Sequence, residues 1–161
     1  MNCNWIGLGK ESKTSILLRK EFCIAKEPVF AKITVCGLGW YTMKVNGASL
    51  TDNSIAPIET NFKERVLLDR YNVTQFIKKG PNVLLMEIGN GRYETYEKYR
   101  AWQLMYYGIK RGYAHLLIGF EDGSAVVVDT DESWKVHEGN VLTNCLFDGM
   151  TMDKRINFDA A

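Results

Sequence analysis

The chain has almost no net charge, no long apolar run and no paired-cysteine motif, and each absence removes a class of function. Its 20 lysines and arginines nearly balance 19 aspartates and glutamates, leaving a formal net charge of +1 over 161 residues. No polyanionic partner follows from that balance, and no basic run argues for nucleic acid or a membrane surface. No apolar stretch approaches the ~18 residues needed to span a bilayer. The first residues show no basic segment leading into an apolar one, so no signal peptide is visible. Cys3, Cys23, Cys36 and Cys145 are widely spread and form no C-x-x-C pair. The expectation is a reduced, cytoplasmic chain in which Cys23 and Cys36 act as small hydrophobes within strands.

Catalytic and metal signatures are equally sparse. His115 and His137 lie far apart with no cysteine at ligand spacing, which argues against zinc. No serine or cysteine nucleophile has a base at a readable spacing. Gly89-Asn-Gly91 is too short for a phosphate loop and no helical pattern follows it. No heptad, repeat or low-complexity tract occurs.

What is present is alternation. Apolar residues make up 46% and charged residues 24%, ordinary for a globular chain whose length suits one domain. Ala31, Ile33 and Val35 alternate with Lys32 and Thr34, the period of a half-buried strand. Gly37 and Gly39 break it, and Tyr41, Met43 and Val45 begin a second strand, read here as the partner of the first. Asn46-Gly47 closes that strand, because both residues tolerate the positive φ of a type I′ turn. Ile16–Ala25 reads as a strand with Leu18, Phe22 and Ile24 on one face. Short strands are also expected at Arg65–Asp69 and Ser133–Val136, and longer ones at Asn82–Ile88, Tyr113–Phe120 and Ala125–Asp129. Asn82–Ile88 is apolar on both faces until Glu87 and so belongs in the middle of a sheet. Val73, Phe76 and Ile77 suggest one helical turn.

Residues 49–60 form a polar loop too long for a tight turn, a place for function. Gly89–Gly112 is the least regular stretch and is rich in tyrosine, glycine and arginine. Many short strands with turn chemistry between them, and almost no helix, predict an all-β antiparallel sandwich of two sheets. Residues 1–14 read as a lead-in that pins Trp5 to a single domain over 15–161.

A set of motifs then occurs in a fixed order. They are Leu17-Leu-Arg-Lys-Glu-Phe22, Gly37-Leu-Gly-Trp-Tyr41 with Val45-Asn-Gly47, Tyr71-Asn-Val-Thr74 and Gly80-Pro-Asn82. Gly89-Asn-Gly-Arg-Tyr93, Glu121-Asp-Gly-Ser124, Thr130-Asp-Glu-Ser-Trp-Lys135 and Asp148-Gly-Met-Thr-Met-Asp-Lys-Arg155 complete it. Over roughly residues 15–157 this ordered set resembles the bacterial α-L-rhamnosidase N-terminal domain. Two positions depart from that pattern: Arg92 stands where the family usually has tryptophan, and Met150 where it has an acid.

The resemblance implies a jelly-roll β-sandwich similar to galactose-binding domains, placed before an (α/α)6 barrel that carries the catalytic carboxylates. It therefore implies a non-catalytic accessory domain, with a rhamnose-containing carbohydrate and a downstream catalytic domain as partners. Asn90, Arg92, Tyr93 and Trp102 are the sugar-contact candidates, since aromatic faces stack on sugar C–H groups while arginine and asparagine bond hydroxyls. Some members of the family hold rhamnose through calcium, and Asp52, Asn53 and Asn90 fall in matching loops. Calcium takes six to eight oxygen ligands, so backbone carbonyls and sugar hydroxyls would complete the shell. Two alternatives stay open: a structural domain that packs on the barrel and binds no sugar, and an independent glycosidase using the acids Asp129, Asp131 and Glu132. The third is least favoured, because acids at strand ends ordinarily cap turns.

Overall fold

The computed structural model describes residues 4–51, 56–95, 106–145 and 149–156. Within them the alternation becomes eleven strands: β1 (Ile16–Ile24), β2 (Pro28–Leu38), β3 (Trp40–Val45), β4 (Ala48–Ser49), β5 (Asp69–Asn72), β6 (Gly80–Gly89), β7 (Arg111–Phe120), β8 (Ala125–Asp129), β9 (Lys135–Glu138), β10 (Val141–Cys145) and β11 (Gly149–Met152). A 3-10 turn at Thr74–Phe76 realises the helical spacing of Val73, Phe76 and Ile77. Pairing among these strands is antiparallel throughout. A five-stranded sheet ordered β4-β3-β6-β1-β9 faces a four-stranded sheet ordered β5-β2-β7-β8, and β10 and β11 form a separate ribbon. The result is the antiparallel jelly-roll sandwich expected from the sequence.

The period-two pattern decides which side chains fill the space between the sheets. From the five-stranded sheet come Leu18, Ile24, Met43, Leu84, Met86 and Ile88, and from the other Ala31, Ile33, Val35, Ala114, Leu116 and Ile118. Trp134 closes one margin, with its indole N–H donating to the Asp129 carbonyl at 2.8 Å. Strand β6 sits at the centre of its sheet between β3 and β1, as its two apolar faces require. The lead-in lies on the four-stranded sheet: Ile6 bridges Gly112, and Trp5 packs on Tyr113 with ring centroids 5.5 Å apart.

The structure corrects the pairing expected of the 31–35 and 41–45 strands. Strands β2 and β3 are consecutive but do not pair; they belong to opposite sheets. Gly39 carries the chain across at φ 126°, in a place where a Cβ would stand 2.2 Å from the Gly89 carbonyl oxygen. The Asn46-Gly47 turn does exist, with φ 50° and 85°, but it joins β3 to the short β4. The strand expected over Arg65–Asp69 begins only at Asp69. Glu64 and Arg65 instead bond back to the Asn61 carbonyl in a turn, which leaves Leu67 and Leu68 exposed. Likewise β9 starts at Lys135, after the turn capped by Asp131, and it carries His137 within the strand. The ribbon β10–β11 was not foreseen, because its residues show no strict alternation.

Candidate functional site

Loop 90–95 and residues 106–110 emerge at one end of the sandwich, tied by a bridge between Glu94 and Tyr106. Beneath them lies a buried polar cluster. Lys110, only 3% exposed, donates from Nζ to the Ser12 carbonyl, to Asn90 Oδ1 at 2.6 Å and to Glu94 Oε2 at 2.6 Å. Glu94 is 1% exposed and also accepts from the backbone N–H groups of Ser12 and Lys110. Burial pulls the Lys110 ammonium below its usual pKa, and the Glu94 carboxylate pulls it back. Three chain segments distant in sequence are thereby held at one point.

Asn90 is part of that cluster rather than of the surface. It is 5% exposed, and its Nδ2 faces the carbonyls of Lys13 and Asn144. Its oxygen faces an ammonium, an arrangement that does not fit a calcium ligand, since a dication there would meet a fixed positive charge. Arg92 lies at the surface, pairing with Glu59 at 3.3 Å while both side chains stay 40% exposed. Tyr93 stacks on Tyr107 with centroids 6.0 Å apart, and Phe62 meets both rings edge-on at 5.3 Å. Burial raises the Tyr93 phenol above its usual pKa, and Arg111 opposes the shift. Asp52, Asn53 and Trp102 lie outside the described residues.

A groove of ≈ 440 Å³ opens beside this loop, between the outer face of the five-stranded sheet and the β10–β11 ribbon. Thr42, Glu87 and Leu17 stand in one cross-strand row on that face. Glu87 Oε1 accepts from Ser15 Oγ at 2.7 Å. The ribbon is tethered over the row because Ser15 N–H donates to the Val141 carbonyl at 2.8 Å and Asn90 N–H to Asn144 Oδ1 at 2.6 Å. Trp40 lines the end near Gly91, whose missing side chain lets the two come together: a Cβ there would lie 2.9 Å from the Trp40 amide. Met150 and Met152 form the outer wall. Sequence reading missed this groove; the only signal was Glu87 interrupting an otherwise apolar strand.

Asp129 and Asp131, two of the acids named in the sequence, make structural contacts, as does Asp153. Asp129 pairs with His115 Nδ1 at 2.5 Å. Asp131 accepts from the Ser133 backbone at 2.9 Å, and the Ser133 hydroxyl holds its carboxyl below the usual range. Asp153 binds Arg155 at 2.7 Å.

Tyr41, at the base of the groove, donates to Asp69 Oδ2 at 2.6 Å, and burial raises its pKa far above the ordinary phenol value. Cys36, fully buried, has its thiol pushed up to about 12 from 9.0 by burial and then by Asp69. Both native groups keep protons that the unfolded chain loses, so their stabilisation is complete below pH 9 and falls as pH rises. Between pH 9 and 10, where the thiol leads, wild type is expected to lose on the order of 1 kcal/mol per pH unit. Cys36→Ala should flatten that slope in urea unfolding; equal slopes in both proteins would refute the assignment.

With the geometry described, comparison with known proteins decides the family. The model of the alpha-L-rhamnosidase N-terminal domain matches residues 26–160. The chain belongs to this family. An α-L-rhamnosidase of Formosa agariphila is 27% identical over 141 residues, covering 85% of this chain and 15% of that relative. Among solved structures, the α-L-rhamnosidase from Dictyoglumus thermophilum superposes with a TM-score of 0.79 at 32% identity, over 88% of this chain and 15% of that one. The Aspergillus terreus α-L-rhamnosidase gives 0.84 at 27% identity, over 96% of this chain and 18% of that one. This rhamnosidase N-terminal domain thus spans less than a fifth of each of these three rhamnosidases, as an accessory domain would.

Proposed function

We propose that the chain is a non-catalytic accessory domain of an α-L-rhamnosidase, binding or presenting a rhamnose-containing carbohydrate beside a downstream catalytic domain. One observation carries the reading. The Tyr93–Tyr107–Phe62 rings, the half-exposed Arg92 and the Trp40 end of the groove lie around one loop, Gly89–Thr95. The Glu94–Tyr106 bridge ties this loop to residues 106–110. Sugars are recognised by this mixture of aromatic faces and planar hydrogen-bonding groups. Asp52 and Asn53 remain the candidates for calcium; Asn90 is better explained as a support for the loop.

A second reading has its own support. Met150 is 68% exposed, Met152 42% and Leu142 37%, an apolar ribbon suited to packing on another domain. Titration of L-rhamnose into the isotope-labelled chain, with and without calcium, separates the two. Calcium-dependent NMR shifts in residues 49–60 and 89–112, abolished by Trp102→Ala without loss of folding, are expected for a sugar-binding domain. Unmoved spectra up to high millimolar sugar would leave the structural role ahead.

A further inference from the structure

We propose that the groove between the five-stranded sheet and the β10–β11 ribbon is a second carbohydrate site, taking one neutral pyranoside ring without a metal ion. The proposal rests on the carbohydrate-binding reading above but uses different residues. Three observations support it.

The first is size and character. A groove of ≈ 440 Å³ falls within the roughly 300–1,000 Å³ of small-molecule sites, which are mostly apolar with a few placed polar groups. Trp40, Val141, Met150 and Met152 supply the apolar walls. A pyranose presents a face of C–H groups to such walls.

The second is the pairing of acceptor and donor. Glu87 comes from the central strand β6, with one carboxylate oxygen oriented by Ser15. Asn144 stands across from it on the ribbon. Its Oδ1 must face the Asn90 backbone N–H, which can only donate, and this fixes the amide orientation. Asn144 Nδ2 is then buried without a hydrogen-bond partner, a condition that ordinarily costs stability unless something satisfies it. A hydroxyl both donates and accepts, so a polyol satisfies the carboxylate and the amide together. Anionic ligands are disfavoured by Glu87.

The third is access. Gly89 and Gly91 line the groove, and a Cβ on Gly89 would stand 2.9 Å from Asn144 Oδ1. Side chains at these positions would crowd the wall that carries the orphan amide.

The test is methyl α-L-rhamnopyranoside titrated in EDTA into the chain carrying ¹³C-methyl methionine. Met150 and Met152 signals should shift with a Kd on the order of 1 mM. Thr42→Trp, placed on an exposed strand position in the groove floor, should abolish the shifts while the remaining spectrum stays folded. Glu87→Gln should weaken binding about tenfold, as loss of a charge-assisted hydrogen bond does. If Met150 and Met152 stay still while residues 89–95 respond to sugar and calcium, the groove site is wrong and the accessory carbohydrate reading stands. If nothing responds under either condition, both fail. If the two methionines shift with protein concentration alone, the apolar wall is a contact between copies and the groove site is overturned.

Discussion

Lys110→Met is expected to cost the domain about 3–5 kcal/mol, because it leaves the Glu94 carboxylate buried without its cation. The two groups meet at 2.6 Å with both side chains 1% exposed. The pair is more than an isolated contact. The ammonium also holds the Ser12 carbonyl of the lead-in and Asn90 Oδ1, whose backbone N–H anchors the ribbon through Asn144. Loss of Lys110 should therefore raise amide exchange in residues 10–14, 90–94 and 141–145 beyond the global change. Adding Glu94→Gln to Lys110→Met should recover part of the loss, since it removes the buried negative charge. Recovery is only partial because the single amide oxygen can accept from only one of the two N–H groups, of Ser12 and of residue 110, that bond the two carboxylate oxygens. Urea unfolding of the two single variants and the double gives the coupling. A cost below 1 kcal/mol for Lys110→Met would show that the site is wetter, or less tightly built, than the hydrogen bonds imply.

Gly39→Ala is the other large effect. At φ 126° an L side chain is strained, by about 1–3 kcal/mol. Here the added methyl would also meet the Gly89 carbonyl oxygen at 2.2 Å and Ile88 Cγ2 at 2.9 Å, a backbone clash that no rotamer relieves. Overpacking adds about 1–3 kcal/mol more. The sum predicts a fall in Tm on the order of 10 °C for a chain of this size. Gly47→Ala is the control, because its φ is 85° with nothing within 4 Å of the added atom. It should show strain alone and melt well above Gly39→Ala. Equal melting of the two would mean that the crossing between sheets is looser than described.

These two sites mark where sequence reading succeeded and where it ran out. Alternation identified β1, β2, β3, β6, β7 and β8, and of the face named in β1, Leu18 and Ile24 are buried while Phe22 packs partly buried against the core. That works because a strand half-buried against one core writes its environment at every second residue. Glycine at 37 and 39 marked a break, but a break between two strands looks the same whether the chain turns back to its neighbour or crosses to the other sheet. The pairing of β2 with β5 and β7, and of β3 with β4 and β6, depends on contacts across tens of residues.

The site divides the same way. Arg92 lies at the surface beside Glu59 and Tyr93 packs on Tyr107 and Phe62, and their contact with sugar stays a proposal. Asn90 looked equivalent to them in sequence and is not: an ammonium from residue 110 and a ribbon residue from position 144 bury it. Glu94 and Lys110 were not singled out, because charged residues sixteen apart carry no local sign of being a buried pair.

The sequence by itself determined the alternating strands β1, β2, β3, β6, β7 and β8, the hairpin turn at Asn46-Gly47 and the ordered motifs that mark the family, because each is encoded by residues adjacent in the chain. Tertiary structure alone decided which sheet each strand joins, that Asn90 supports the loop from within, and that Glu87 and Asn144 face a common groove. Those outcomes depend on segments that approach each other only after the two sheets close on their shared core, and short-range pattern holds no record of that approach.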